Sequence, residues 1–420
     1  MKETKIYSAL ILLFFIFATV FPTIRLLSIG HGASASLNEF VISALPDIFA
    51  VMVIIFTFFS ILKNRTEIHF RFFDWVVISF AISNVILGFI IADDVLVSLY
   101  GFRMTYFPVC FYFIFRFCNT DFSERTLNTI FYWFFLVGLA GIILYFVFYD
   151  QMVYMLNLSQ AELQMYFIVR MTSVFWTPVV FAAFMGTAFL YFCYRYFTTG
   201  KWYFLLLLMV MEICILMSMS RGSIIAAIFA FILISLLVRN WKRSAIALLA
   251  VVAVFFMTTS YIASPGEVFW WIAGSTMDTF GLRKGVSRVD LWLKAFANFK
   301  DHPFGYGLGK AGHVAARFYN ETSVDADVFS TDGWFLKILN ETGIWGIASY
   351  LFFAASYFIL CLKSKLLKNK TGLVLFFFTM FVMINIQNIV SNVLDFYLFT
   401  FLFWAMLGAS VSMIYKNQKQ

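Results

Sequence analysis

The sequence predicts an all-α polytopic membrane protein with about twelve transmembrane helices and one large extramembrane segment. Apolar runs recur along all 420 residues. Each is long enough to cross a hydrocarbon core of about 30 Å at a helical rise of about 1.5 Å per residue. The composition is 62% hydrophobic and only 12% charged. The alternating segments of roughly ten residues that build membrane β-barrels are missing. Against this background, residues 263–342 form a polar, glycine-containing stretch.

The runs read as spans over 6–29, 39–62, 73–92, 95–118, 127–149, 174–197, 202–219, 222–239, 244–262, 343–362, 372–390 and 395–414. The first is longer than a signal-peptide core, holds Arg25 and is followed by no small-residue cleavage site, so a retained helix is expected. Orientation follows from the basic residues. With the N-terminus inside, the inner segments carry Lys63, Arg65, Arg71, Arg116, Arg125, Arg195, Lys201, Arg239, Lys242, Arg243 and Lys363. The short outer loops 30–38, 93–94 and 391–395 carry no Lys or Arg. That bias predicts two cytoplasmic termini and an outward-facing 263–342 segment. It also accounts for the net charge of +8 without nucleic acid as a partner.

Two outer segments invite local reading. In 150–173, Asn157 to Glu162 has an N-cap pattern, with Glu162 three residues after Ser159, and predicts a short interfacial helix. In the larger segment, Ser287 to Phe296 reads as an amphipathic helix whose aromatic side, with Trp292 and Phe296, suits the membrane interface. Asp301 to Gly309 is a loop, broken by Pro303, Gly305, Gly307 and Gly309. No internal repeat or low-complexity linker divides the chain, which reads as a single membrane domain, 1–420, with 263–342 as its extracytoplasmic segment between the ninth and tenth spans.

Little points to metal or redox chemistry. The five cysteines lie in or beside apolar runs without a CxxC pair, as small buried hydrophobes do. His31, His69, His302 and His313 show no HxxxH or HExxH spacing. No metal and no cofactor are expected.

Charges at the outer ends of spans are more informative, because an ionisable side chain there is expensive and by default marks a function. Arg25, Arg103, Arg170 and Arg221 all fall at that level, and Arg288 and Arg317 lie in the segment above it. A lone arginine near a helix end ordinarily snorkels to head groups or pairs with a neighbouring acid, here Glu212, Asp93 or Asp94. Several at one level point instead to an anionic lipid, since the guanidinium fork binds phosphate bidentately and keeps its charge. Asn84, Asn385, Gln387 and Asn388 read as interhelical hydrogen-bonding groups.

The pattern Arg288-x-x-x-Trp292-x-x-Ala295, followed by His302-Pro303-x-Gly305-x-Gly307-x-Gly309, resembles the O-antigen polymerase and O-antigen ligase superfamily. So does Asp332-x-x-x-Leu336-x-x-Leu339-x-Glu341-x-Gly343-Ile344-x-Gly346 leading into a span. Ser220-Arg221 at a span start, Gly101-Phe102-Arg103 before Pro108, and Arg170 before Phe175 and Pro178 add to it. The resemblance implies a glycosyltransferase-C-like enzyme of the bacterial cytoplasmic (inner) membrane that needs no metal. Its implied reaction polymerises undecaprenyl-pyrophosphate-linked oligosaccharide repeat units, as donor and acceptor, into a surface polysaccharide such as O-antigen (the lipopolysaccharide glycan), capsule or exopolysaccharide. A chain-length regulator is an implied further partner. Arg103, Arg170, Arg221 and Arg288 would bind the pyrophosphate, and Asp332 or His302 would serve the acceptor hydroxyl, with His313 and Arg317 secondary. Family members often carry His followed by Asn where this chain has Asp332-Gly333, a departure that favours polymerase over ligase. Asp332 also suits a helix N-cap, and an aspartate is a weak base at its ordinary pKa of about 3.9. A ligase passing the glycan to another acceptor is the near alternative. A polysaccharide flippase is the distant one, although transporters tend to show inverted repeats and midplane sites.

Overall fold

The computed structural model describes residues 9–23, 37–63, 68–117, 124–148, 151, 164–175, 177–262, 288–318, 333–364, 367 and 372–418, apart from single positions within the first stretch and two within 164–175. The protein is an all-α polytopic membrane protein. Its helices are α1 (Leu12–Thr23), α2 (Leu37–Lys63), α3 (Phe72–Ile91), α4 (Val95–Thr105), α5 (Cys110–Phe117), α6 (Glu124–Val147), α7 (Pro178–Thr199) and α8 (Trp202–Met217). They continue with α9 (Arg221–Val238), α10 (Trp241–Ile262), α11 (Arg288–Asp301), α12 (Gly312–Phe318), α13 (Trp334–Lys363), α14 (Leu373–Val390) and α15 (Tyr397–Asn417). Among the described residues, 8 helices are long and apolar enough to cross a membrane, and α1, the centre of α2 and α8 are shorter apolar helices.

Two expectations are corrected, and a third lies largely outside the described residues. The run 95–118 is not one helix. It stops at Thr105, passes through a 3-10 turn, Phe107–Val109, and resumes as α5. Pro108 has no N–H to continue the ladder, and its ring crowds the preceding turn. The tenth span begins earlier than residue 343, because α13 starts at Trp334 and is kinked at Gly343 (φ 63°, ψ −147°). Of 150–173 the described residues include a two-stranded pair, β1 (Gln164–Met165) with β2 (Ile168–Val169), and the helix start expected at Asn157–Glu162 lies outside the described residues. The amphipathic helix of the larger segment does form, as α11.

The chain forms two compact units, residues 1–66 with 114–268, and 67–113 with 269–420. In the first, α7 is apolar all round and buried along nearly its whole length, as a helix without a polar face must be. It packs on α6, α8 and α9. Pro178 opens it at a position where no N–H is needed. At its far end the Arg243 guanidinium donates to the Phe197 carbonyl (2.6 Å), satisfying one of the carbonyls a helix end leaves over.

In the second unit α13 lies on α3, and α14 on α13 and α15. Its core is aromatic. Phe353 stacks on Phe80 (5.5 Å between centroids) and meets Trp404 edgewise or tilted (5.5 Å) and Phe381 (6.1 Å). The polar groups inside these helices pair across them. Asn84 Nδ2 donates to Ser349 Oγ (2.8 Å), and Tyr350 Oη donates to Asn385 Oδ1 (2.6 Å).

Candidate active site

In the first unit the chain leaves α8 through Ser218–Ser220 and enters α9 at Arg221. Met219 takes a left-handed conformation (φ 51°), which a non-glycine residue adopts at a strain of order 1 kcal/mol or more. The segment that carries Arg170 is laid along this turn. Arg170 Nε donates to the Ser218 carbonyl (3.0 Å), and Met171 N–H donates to the Met217 carbonyl (2.9 Å). Ser173 is also left-handed (φ 50°), with its hydroxyl donating to the Val137 carbonyl (2.9 Å). Ser220 and Ser223 share a hydrogen bond (2.8 Å), and Ser218 Oγ accepts the Ser220 N–H (3.3 Å). Two arginines far apart in sequence, Arg170 and Arg221, thus belong to one over-determined turn, and both are half-buried. Glu212, weighed as an arginine partner, is buried on α8 with its Oε2 making no hydrogen bond among the described residues.

In the second unit the glycine-rich run after α11 wraps the kinked start of α13. Tyr306 N–H donates to the Asn340 carbonyl (2.8 Å), Gly307 N–H to the Glu341 carbonyl (3.0 Å), and Ile344 N–H to the Pro303 carbonyl (2.9 Å). Gly343 is fixed by this wrapping: its positive φ suits glycine, and a Cβ there would collide with the Pro303 oxygen. Gly101 of α4 is needed for approach, because a Cβ would collide with the Gly309 N–H and lie 2.8 Å from its Cα.

Under the loop is a charged cluster. Lys337, Glu341 and Asp395 are fully buried. The Lys337 ammonium is bonded to Asp395 Oδ1, donates to Thr105 Oγ1 (2.8 Å) and lies 3.8 Å from Glu341 Oε1. The free valences of the carboxylates are taken by the loop. Gly309 N–H donates to Glu341 Oε1 (2.9 Å), and His313 N–H donates to Asp395 Oδ2 (2.6 Å). Burial pushes the Asp395 carboxyl up. The opposing effect of Lys337, joined by His313 and the two hydrogen bonds, exceeds it, so the group is held below the usual carboxylate range and is ionised.

The expected site residues divide around this frame. Arg103 projects from α4 over the rings of Tyr100 (5.4 Å) and Tyr397 (5.2 Å), a cation–π arrangement. His313 is exposed and its ring lies 4.5 Å from that of Phe396. Arg103 and His313 therefore come to neighbouring residues at the head of α15. His302 is exposed, beside Tyr306 (4.3 Å), whose hydroxyl is raised above its usual pKa by burial and then by the charge of Asp301. Arg288 opens α11 and Arg317 lies in α12, but their side chains are outside the described residues, as is all of Asp332. Its neighbour Gly333 is held by Asn392 Oδ1 (3.0 Å). The expected acidic partners of the arginines have other duties. Asp94 caps α4 by accepting from Leu96 and Val97 (2.8 and 3.2 Å), and Asp93 pairs with Lys310 (3.9 Å).

Lys337, Asp395 and Thr105 went unread in the sequence. The rule that singles out arginines at span ends applies equally to Lys337, a lone cation inside Trp334-Phe335-Leu336-Lys337-Ile338-Leu339, and to Asp395 at the head of the last span.

Residues 203–351 match a protein family described as O-Antigen ligase. That stretch carries Arg221, Arg288, His302, His313, Arg317, Asp332, Lys337 and Glu341, and leaves out Arg103, Arg170 and Asp395. The chain is also similar to an O-antigen polymerase of Salmonella muenchen, 28% identical over 171 residues, which are 40% of this chain and 41% of that protein. The similarity thus spans about two-fifths of the relative's length. Both findings support the O-antigen polymerase and ligase superfamily.

Proposed function

Starting from that superfamily, we propose that this protein is a polymerase. It would join undecaprenyl-pyrophosphate-linked repeat units into a surface polysaccharide on the outer face of the cytoplasmic membrane, with both chain termini on the inner side. An acceptor sugar hydroxyl attacks the anomeric carbon of the donor, the bond to lipid pyrophosphate breaks, and the acceptor proton passes to a base. Arginines meet the charge that grows on the leaving pyrophosphate, where donors already in place are worth most. The observation that carries this reading is the α8–α9 turn, where Arg170 is bonded to the backbone that presents Arg221, at a strained position. Arg103, over the rings of Tyr100 and Tyr397, is the third such group, and Arg288 the fourth. Asp332, His302 or His313 takes the acceptor proton. No metal enters this scheme, so turnover persists in a chelator.

A deletion strain tests the reading. Single lipid-linked repeats should accumulate on the outer face of the membrane. Accumulation on the inner face would replace the polymerase with a flippase. The family description favours one second reading, a ligase. Long polymer that remains on its lipid carrier and is never attached to an acceptor would establish it.

A further inference from the structure

The buried cluster of the second unit lies under groups that the proposed mechanism uses, yet its own charges are closed off from substrate. Lys337 is 0% exposed, Asp395 0% and Glu341 1%. Its connections are what distinguish it. The Lys337 ammonium bonds three elements at once: α4 through Thr105, the turn before α15 through Asp395, and its own helix through Glu341. Each of the first two leads to a proposed functional group. Thr105 stands two residues from Arg103 on the same helix. Asp395 stands two residues before Tyr397, on whose ring Arg103 lies, and one before Phe396, which the His313 ring meets at a tilt. The same carboxylate takes the His313 N–H on its other oxygen. Removal of Lys337 would leave α4 and the head of α15 joined by their packing alone, with no polar bond fixing the two surfaces that hold Arg103.

We infer that Lys337 is a positioning residue, which sets Arg103 and His313 relative to each other by clamping Thr105 and Asp395. The inference rests on the proposed transferase reading. A buried ion pair adds little to stability when an apolar pair of similar volume can replace it, so the physical reason for keeping one here is geometric. Small displacements of a group that meets transition-state charge reduce turnover more than ground-state binding.

The experiment uses the full-length protein in lipid nanodiscs, supplied with the lipid-linked repeat unit. Three variants are compared: Thr105→Val, which keeps shape and removes only the hydroxyl; Thr105→Ser, which restores it; and the double change Lys337→Met with Asp395→Leu, which removes the pair and leaves Glu341, bonded to the Gly309 N–H, as the remaining carboxyl of the cluster. Expected are wild-type insertion for all three and a melt close to wild type for the two Thr105 variants. At least a ten-fold loss in kcat is expected for Thr105→Val and the double variant, with donor KM within about two-fold of wild type, and recovery in Thr105→Ser. Arg103→Ala is the control. If Arg103→Ala loses turnover while the folded double variant keeps wild-type kcat, Lys337 is only structural and the inference falls, with the transferase reading intact. If the double variant does not fold, Thr105→Val decides alone, and wild-type kcat there overturns the inference. Failure of the wild-type protein to transfer glycan overturns the transferase reading and this inference with it.

Discussion

The turn that presents Arg170 and Arg221 in the first unit is held by backbone carbonyls and serine hydroxyls, and its strain sits in the main chain at Met219 and Ser173. The loop that carries His302 and His313 in the second unit has main-chain bonds to α13 and, beneath it, a buried polar cluster that the first turn lacks: Lys337 between Asp395 and Glu341, with loop N–H groups donating to both carboxyls. Both devices fix the main chain that carries the proposed functional groups, and Arg170 takes part in its own. They differ in what breaks them. A turn made of main-chain bonds tolerates side-chain changes and should fail in chemistry first. A buried ion cluster should fail in folding first, because any unmatched charge left inside is heavily penalised.

The largest expected effect tests the second half of that contrast. Lys337→Met alone leaves two buried carboxylates without their cation and should destabilise the protein by about 3–5 kcal/mol, the range for breaking one partner of a buried pair. The yield and melting temperature of detergent-purified protein would show it, and a wild-type melt would mean that the cluster carries no stability. Gly343→Ala comes next. It places a Cβ against the Pro303 oxygen and forces a strained conformation worth about 1–3 kcal/mol before the collision is counted, so the 302–309 loop should lose its protection in hydrogen exchange.

Arg221→Lys breaks the first turn in the opposite way. It should insert and melt like wild type but lose roughly 10²–10³-fold in polymer formation, the range for removing one preorganised donor, because the ammonium has no fork. Wild-type polymer from this variant would rule out a pyrophosphate clamp at the turn. Acid separates the regions more gently. The Asp395 carboxyl is held below its ordinary 3.8, so the stability it adds is fully present above that value and is lost as pH falls through its lower folded pKa. Melting curves taken downward from neutral pH should therefore show no loss from this group until about pH 4, and the Lys337→Met, Asp395→Leu double variant should lack the steeper fall below it. Asp94→Ala is the smallest change: loss of the α4 cap should cost about 1 kcal/mol, visible as a slight lowering of the melt.

How much of this could be read beforehand depends on the range of the interaction. Length and apolarity locate α3, α6, α7, α9, α10, α14 and α15 to within a few residues, because the bilayer tests each segment separately. Arg103, Arg170 and Arg221 stand out for the same local reason, as charges at apolar span ends. The break at Pro108 was legible in principle, since proline acts on its own turn. The start of α13 at Trp334 was not, because its kink at Gly343 is stabilised by the Pro303 carbonyl on another segment.

The sequence by itself determined a membrane protein, its order of spans, and the residues whose charge had to be accounted for. Those follow from the transfer of side chains between water and lipid, which each segment undergoes whatever its neighbours are. Only the tertiary structure decided that Lys337 meets Asp395, 58 residues away, and Thr105, 232 residues away, and that Arg170 lies against Ser218. A hydrogen bond or ion pair depends on distances of a few tenths of an ångström between particular atoms. Hydropathy carries no information on that scale until the helices have packed.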